Sequence, residues 1–110
     1  MQIGKLASLT GVSIRMLRYY ETAGLLHPTR SGTNYRHFSQ EDVETVRRVL
    51  MLNAAGFTLP VIRSLLNCVS SGSAPCEALQ VKVHEQLDVI ERQMADLDES
   101  RGLLKGLLGR

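Results

Sequence analysis

The sequence predicts a mainly α-helical chain, a head of short helices followed by one long helix, and three observations predict it. Apolar residues recur at three- and four-residue steps in four short segments, each bounded by glycine or by a residue suited to capping a helix. A single linker-like stretch, Ser70-Ser71-Gly72-Ser73-Ala74-Pro75, interrupts the chain. Beyond it the apolar positions keep alternating steps of four and three to the end.

The first helix is short, with Ile3, Leu6 and Ala7 on its apolar side, and Thr10-Gly11 ends it because glycine accepts the left-handed backbone of a tight turn. Ser13 caps a second helix that runs to about Glu21 and turns Ile14 and Leu17 inward. Two short helices joined through a glycine turn match a helix-turn-helix, whose second helix enters a major groove. Gly24 stops that helix. The segment Thr29 to Phe38, rich in Ser, Gly, Thr and Asn, reads as a small hairpin or wing carrying Arg30 and Arg36. Ser39 and Asp42 form a capping signature that opens a third helix, with Val43, Val46 and Leu50 as its stripe and Val49 beside them. Ala55-Gly56 ends it. Thr58 opens a fourth helix, with Pro60 in its tolerant first turn and Val61, Ile62, Leu65 and Leu66 facing the core. The expected organisation is a winged helix-turn-helix head over 1–68, a linker over 69–75 and a helix over 76–110.

In that last helix Val83, Leu87, Ile90, Met94, Leu97, Leu104 and Leu108 follow a narrow coiled-coil seam, with Arg101 at the one polar position. From Cys76 to Leu108 the helix would be about 50 Å long, more than a small head can cover. An uncovered seam asks for a second copy of the chain, so these seven residues are the expected dimerisation contacts.

The net charge of +2 conceals an asymmetry. Residues 1–36 carry Lys5, Arg15, Arg18, Arg30 and Arg36 against Glu21 alone, whereas residues 37–110 carry eight basic and ten acidic side chains. A basic end on a mildly acidic remainder is what a polyanion-binding chain shows. No apolar run is long enough to span a membrane or serve as a secretion signal, and two cysteines are too few for a disulfide scaffold. The expectation is a cytoplasmic, DNA-binding chain. No glycine-rich phosphate loop, nucleophile elbow or paired acid cluster is present, so no enzyme is expected.

The runs Ile3-Gly4-Lys5-Leu6-Ala7, Thr10-Gly11-Val12-Ser13, Leu17-Arg18-Tyr19-Tyr20-Glu21, Gly24-Leu25-Leu26 and Asn34-Tyr35-Arg36 resemble the winged-helix signature of MerR-type transcription regulators. Ser39-Gln40-Glu41-Asp42, Gly56-Phe57-Thr58-Leu59 and Ile62-Arg63-Ser64-Leu65-Leu66 continue the match, which extends over essentially the whole chain. The resemblance implies a homodimer joined by an antiparallel coiled coil, with two heads on a pseudo-palindromic promoter. It implies that switching works by bending and untwisting the promoter so that RNA polymerase engages it. One departure is Asn34, where the family usually has glycine; asparagine tolerates positive φ better than other non-glycine residues.

Arg15 and Arg18 lie three apart on one face of the second helix, where guanidinium forks reach guanine edges or phosphates. By resemblance Arg18 and Tyr20 are backbone clamps and Arg15 the base reader. Tyr19 is open between a DNA contact and a core aromatic. Arg30, Tyr35 and Arg36 belong to the wing and are expected at phosphates or in the minor groove.

Cys76 resembles the first thiolate of the mercury, lead, cadmium and zinc sensors, and its place at a helix N-terminus suits thiolate chemistry. It is the group through which a soft or borderline metal ion would bind, with Cys68 and His84 as possible substitutes for missing ligands. Those sensors carry two further cysteines beyond the long helix, where this sequence stops at Arg110. A thiol-reactive effector at Cys76 is the other reading, and a chain with no small effector is the third. Cys68 also falls on the stripe of Val61 and Leu65, where it reads as a small hydrophobe. Two function classes thus stand: an effector-gated promoter regulator, and an architectural DNA-bending factor of the excisionase kind. The long final helix favours the first.

Overall fold

The computed structural model describes residues 1–30 and 36–110, with the backbone alone at Arg30. It contains α1 (Ile3–Thr10), α2 (Ile14–Thr22), β1 (Thr29–Arg30), β2 (Arg36–His37), α3 (Gln40–Ala54), α4 (Leu59–Ser71) and α5 (Glu77–Leu108). Two units result, Met1–Gly72 and Ser73–Arg110.

Local signals set the boundaries in the first unit. Gly11 takes φ 74° and its N–H donates to Ala7 O at 2.9 Å, which closes α1. Ser13 Oγ accepts from the Met16 N–H at 3.1 Å and starts α2. At Gly24, φ is 79°, and the Leu25 N–H reaches back to Tyr20 O at 2.8 Å. A Cβ on Gly24 would lie 3.1 Å from Arg63 Cζ, a contact that a small shift of the arginine side chain relieves, so it is the backbone sign that demands glycine there. The Ser39 N–H donates to Asp42 Oδ2 at 2.8 Å, the reciprocal bond of a capping box that opens α3.

β1 and β2 pair antiparallel, Thr29 opposite His37 and Arg30 opposite Arg36. One residue on, the Phe38 N–H donates to Met1 O at 2.7 Å while the Met1 amine donates to Phe38 O at 2.6 Å. The exit of the hairpin is thereby tied to the start of α1. Beneath it α1 packs on α2 and α3, and α3 on α4, around Leu6, Leu17, Leu26, Val43, Val46, Val49 and Ile62.

Two expectations are corrected. On α3 the third inward position is Val49, and Leu50 is exposed; α3 packs against both α1 and α4, which selects the arc 43-46-49. Ile14 is exposed rather than turned inward. α4 continues through Ser71 until Gly72, at φ 69°, caps it. Val61 and Leu66 are half-buried beside the buried Ile62 and Leu65.

In the second unit α5 is 32 residues long and none of them is buried. Among the described residues no helix is long and apolar enough to cross a membrane.

Candidate nucleic-acid interface

α2 is amphipathic in a way that fixes what it offers. Leu17 and Tyr20, three residues apart, share the core face. Arg15, Arg18 and Tyr19 stand on the other side, all exposed. The two adjacent tyrosines therefore part company: Tyr19 is 52% exposed and Tyr20 only 3%. The ring of Tyr20 packs in the core, and burial pushes its phenol pKa above the ordinary 10.0. The open question at Tyr19 closes in favour of an accessible ring. The signal was present in the sequence, since the residue three after an inward Leu17 is Tyr20.

The wing base carries a contact that sequence reasoning missed. Arg36 Nε lies 2.7 Å from Glu21 Oε2, and the two side chains are 35% and 21% exposed. Nε is shut off from solvent yet makes no aligned hydrogen bond, so the approach is an ion pair. The sequence clue was that Glu21 is the sole acid among residues 1–36. Arg30 stands opposite Arg36 in the strand register. Tyr35 and Asn34 lie outside the described residues.

Cys76 is an exposed free thiol at the N-cap of α5, and its side chain makes no capping hydrogen bond. Cys68 is free and half-buried on α4, in the other unit, and His84 is exposed on α5. Among the described residues no three His, Cys, Asp or Glu side chains are grouped to hold a metal ion. The seam residues Leu87, Met94, Leu97, Leu104 and Leu108 are exposed, and Val83 and Ile90 half-buried.

Comparison with known proteins gives the same family throughout. Residues 1–68 match the MerR HTH family of regulatory proteins, and residues 43–107 match the MerR DNA-binding family. The chain is 34% identical over 110 residues to heavy metal-dependent transcription regulator 2 of Rhizobium meliloti strain 1021, covering 99% of this chain and 75% of that one. It is similar in structure to HiNmlR, a MerR family regulator lacking the sensor domain and bound to promoter DNA. There the TM-score is 0.71 at 25% identity, over 98% of this chain and 86% of the other. It is also similar to the transcription regulator PbrR691 of Ralstonia metallidurans CH34 in complex with lead(II), with a TM-score of 0.70 at 28% identity over 98% and 82% of the two chains.

Proposed function

Because the chain belongs to the MerR family of DNA-binding transcriptional regulators, we propose that it grips a promoter as a homodimer and switches transcription by distorting the DNA between its two heads. The outward face of α2 is the observation that carries this reading: Arg15, Arg18 and Tyr19 are presented together by a helix whose opposite side is locked into the core. Arg15 reads base edges, Arg18 holds a phosphate, and the exposed ring of Tyr19 lies against the sugar-phosphate backbone. Arg30 and Tyr35 extend the grip along the wing. α5, with no buried residue and a stripe of exposed apolar side chains, supports pairing with a second copy. RNA polymerase is the partner at the promoter, and a bound dimer that changes neither DNA bend nor transcript level would sink that part of the reading.

Arg18→Ala is expected to weaken binding to the promoter fragment by about 1–3 kcal/mol and to lower the salt slope by roughly one charge. Fluorescence anisotropy across a salt series checks this. Unchanged affinity and slope would remove Arg18 from the interface.

The heavy metal-dependent relative and the lead-bound structural neighbour support an effector that a thiolate captures, and Cys76 is the exposed thiol. The donors of a single chain do not fit a closed soft-metal site, since no three of them group among the described residues. Thiol-directed oxidants and electrophiles need only one accessible sulfur. Cys76→Ser is expected to abolish the transcriptional response while leaving promoter binding intact, read in a reporter strain exposed in turn to lead(II), mercury(II) and diamide. A mutant that responds as wild type would move the effector elsewhere.

A further inference from the structure

We propose that Glu21 is a positioning residue for the wing: its carboxylate holds the Arg36 guanidinium and fixes β2 against the end of the recognition helix, so that Arg36 acts through this contact rather than as a free phosphate-binding cation. The inference rests on the reading that α2 and the hairpin contact DNA together.

Electrostatics alone make Glu21 an unfavourable choice. It is the only acid in the basic first 36 residues, it sits on the helix that faces a polyanion, and it lies in the last turn of α2, where the helix dipole disfavours negative charge. What offsets this is Arg36, 2.7 Å away, with both side chains more than half shielded from water. Shielding reduces the screening that makes fully exposed pairs worth little. The pair also bridges elements that no backbone bond joins. Two residues beyond Arg36, Phe38 is buried in the core and bonded twice to Met1. β2 is therefore fastened on one side to α1 and on the other to α2. A β2 held against α2 need not be repositioned when DNA arrives, which spares that cost.

The two roles of Glu21 predict opposite signs. A carboxylate that merely repels phosphate is a hindrance, and Glu21→Gln would then tighten promoter binding. A positioning carboxylate is needed, and Glu21→Gln is expected to weaken binding by about fivefold with an unchanged melting transition. Arg36→Lys, which keeps the charge but loses the planar fork, is expected to do the same and serves as the test if the glutamine variant melts early. The exchanged pair Glu21→Arg/Arg36→Glu is expected to recover most of the affinity that Arg36→Glu loses, which a lost phosphate contact would not allow. Without DNA, the Hε of Arg36 is expected to exchange slowly with water by NMR, and faster in Glu21→Gln. Equal or tighter binding by Glu21→Gln, no rescue by the exchanged pair, or fast Hε exchange in the wild type overturns the proposal. Arg18→Ala run in parallel separates the failures. If it weakens binding and Glu21→Gln does not, positioning alone is wrong; if neither does, the DNA face is misplaced and Hε exchange decides the pair by itself.

Discussion

Leu97→Glu is expected to leave single chains at micromolar concentration and to weaken promoter binding by about a hundredfold or more. Leu97 is 70% exposed in one chain, in the middle of a seam whose neighbours Met94 and Leu104 are exposed as well. Each large apolar side chain removed from water contributes about 1.5–3 kcal/mol, and several lie along one stripe of α5. A dimer carries the substitution twice, so two carboxylates would have to enter an apolar interface without partners, at about 3–5 kcal/mol for an unpaired buried charge. Promoter binding follows because two linked heads gain an effective concentration that one head lacks. Sedimentation velocity gives the subunit count, and anisotropy on the same samples gives the affinity. A wild-type chain that sediments as one subunit, or a glutamate variant that stays paired, would refute the pairing of α5.

What the sequence made legible was local. Gly11, Ser13, Gly24 and the Ser39–Asp42 pair each act within a few residues, through a backbone sign or a single capping bond, and each marks a helix end. The failures come where a choice depends on distant neighbours. Val49 and Leu50 fit the α3 stripe equally well by spacing, and only packing against both α1 and α4 decides between them. Tyr19 and Tyr20 are a smaller case of the same kind: which of the two rings faces the core is decidable from Leu17 once the helix face is counted. Arg36 is the instructive case at the site: counted as a free cation, it meets a carboxylate 15 positions earlier in the chain, and no local pattern announces the pair.

Leu17→Ala is expected to destabilise the head by about 2–5 kcal/mol, whereas Ile14→Ala, one turn earlier, should cost well under half as much. Leu17 is fully buried in the core and Ile14 is 39% exposed. The difference tests whether the recognition helix is held by the face the structure assigns, because the sequence turned both residues inward. A unit of this size has only about 4–11 kcal/mol of stability in all, so the leucine cavity removes a large fraction of it. Far-UV dichroism would blur the result, since α5 contributes helix of its own and the two units need not unfold together. The chain has no tryptophan, but Tyr20 is enclosed by the core that Leu17 helps to fill, so the near-UV tyrosine signal reports the head in urea titrations. DNA then separates stability from contact. Leu17 touches no DNA in the proposed interface, so saturating promoter fragment should restore folding of Leu17→Ala by mass action, while the deficit of Arg18→Ala persists in the fully folded protein. Equal midpoints for the leucine and isoleucine variants would mean that α2 sits on the head by a different face, and the assignment of Arg15, Arg18 and Tyr19 to the DNA side would fall with it.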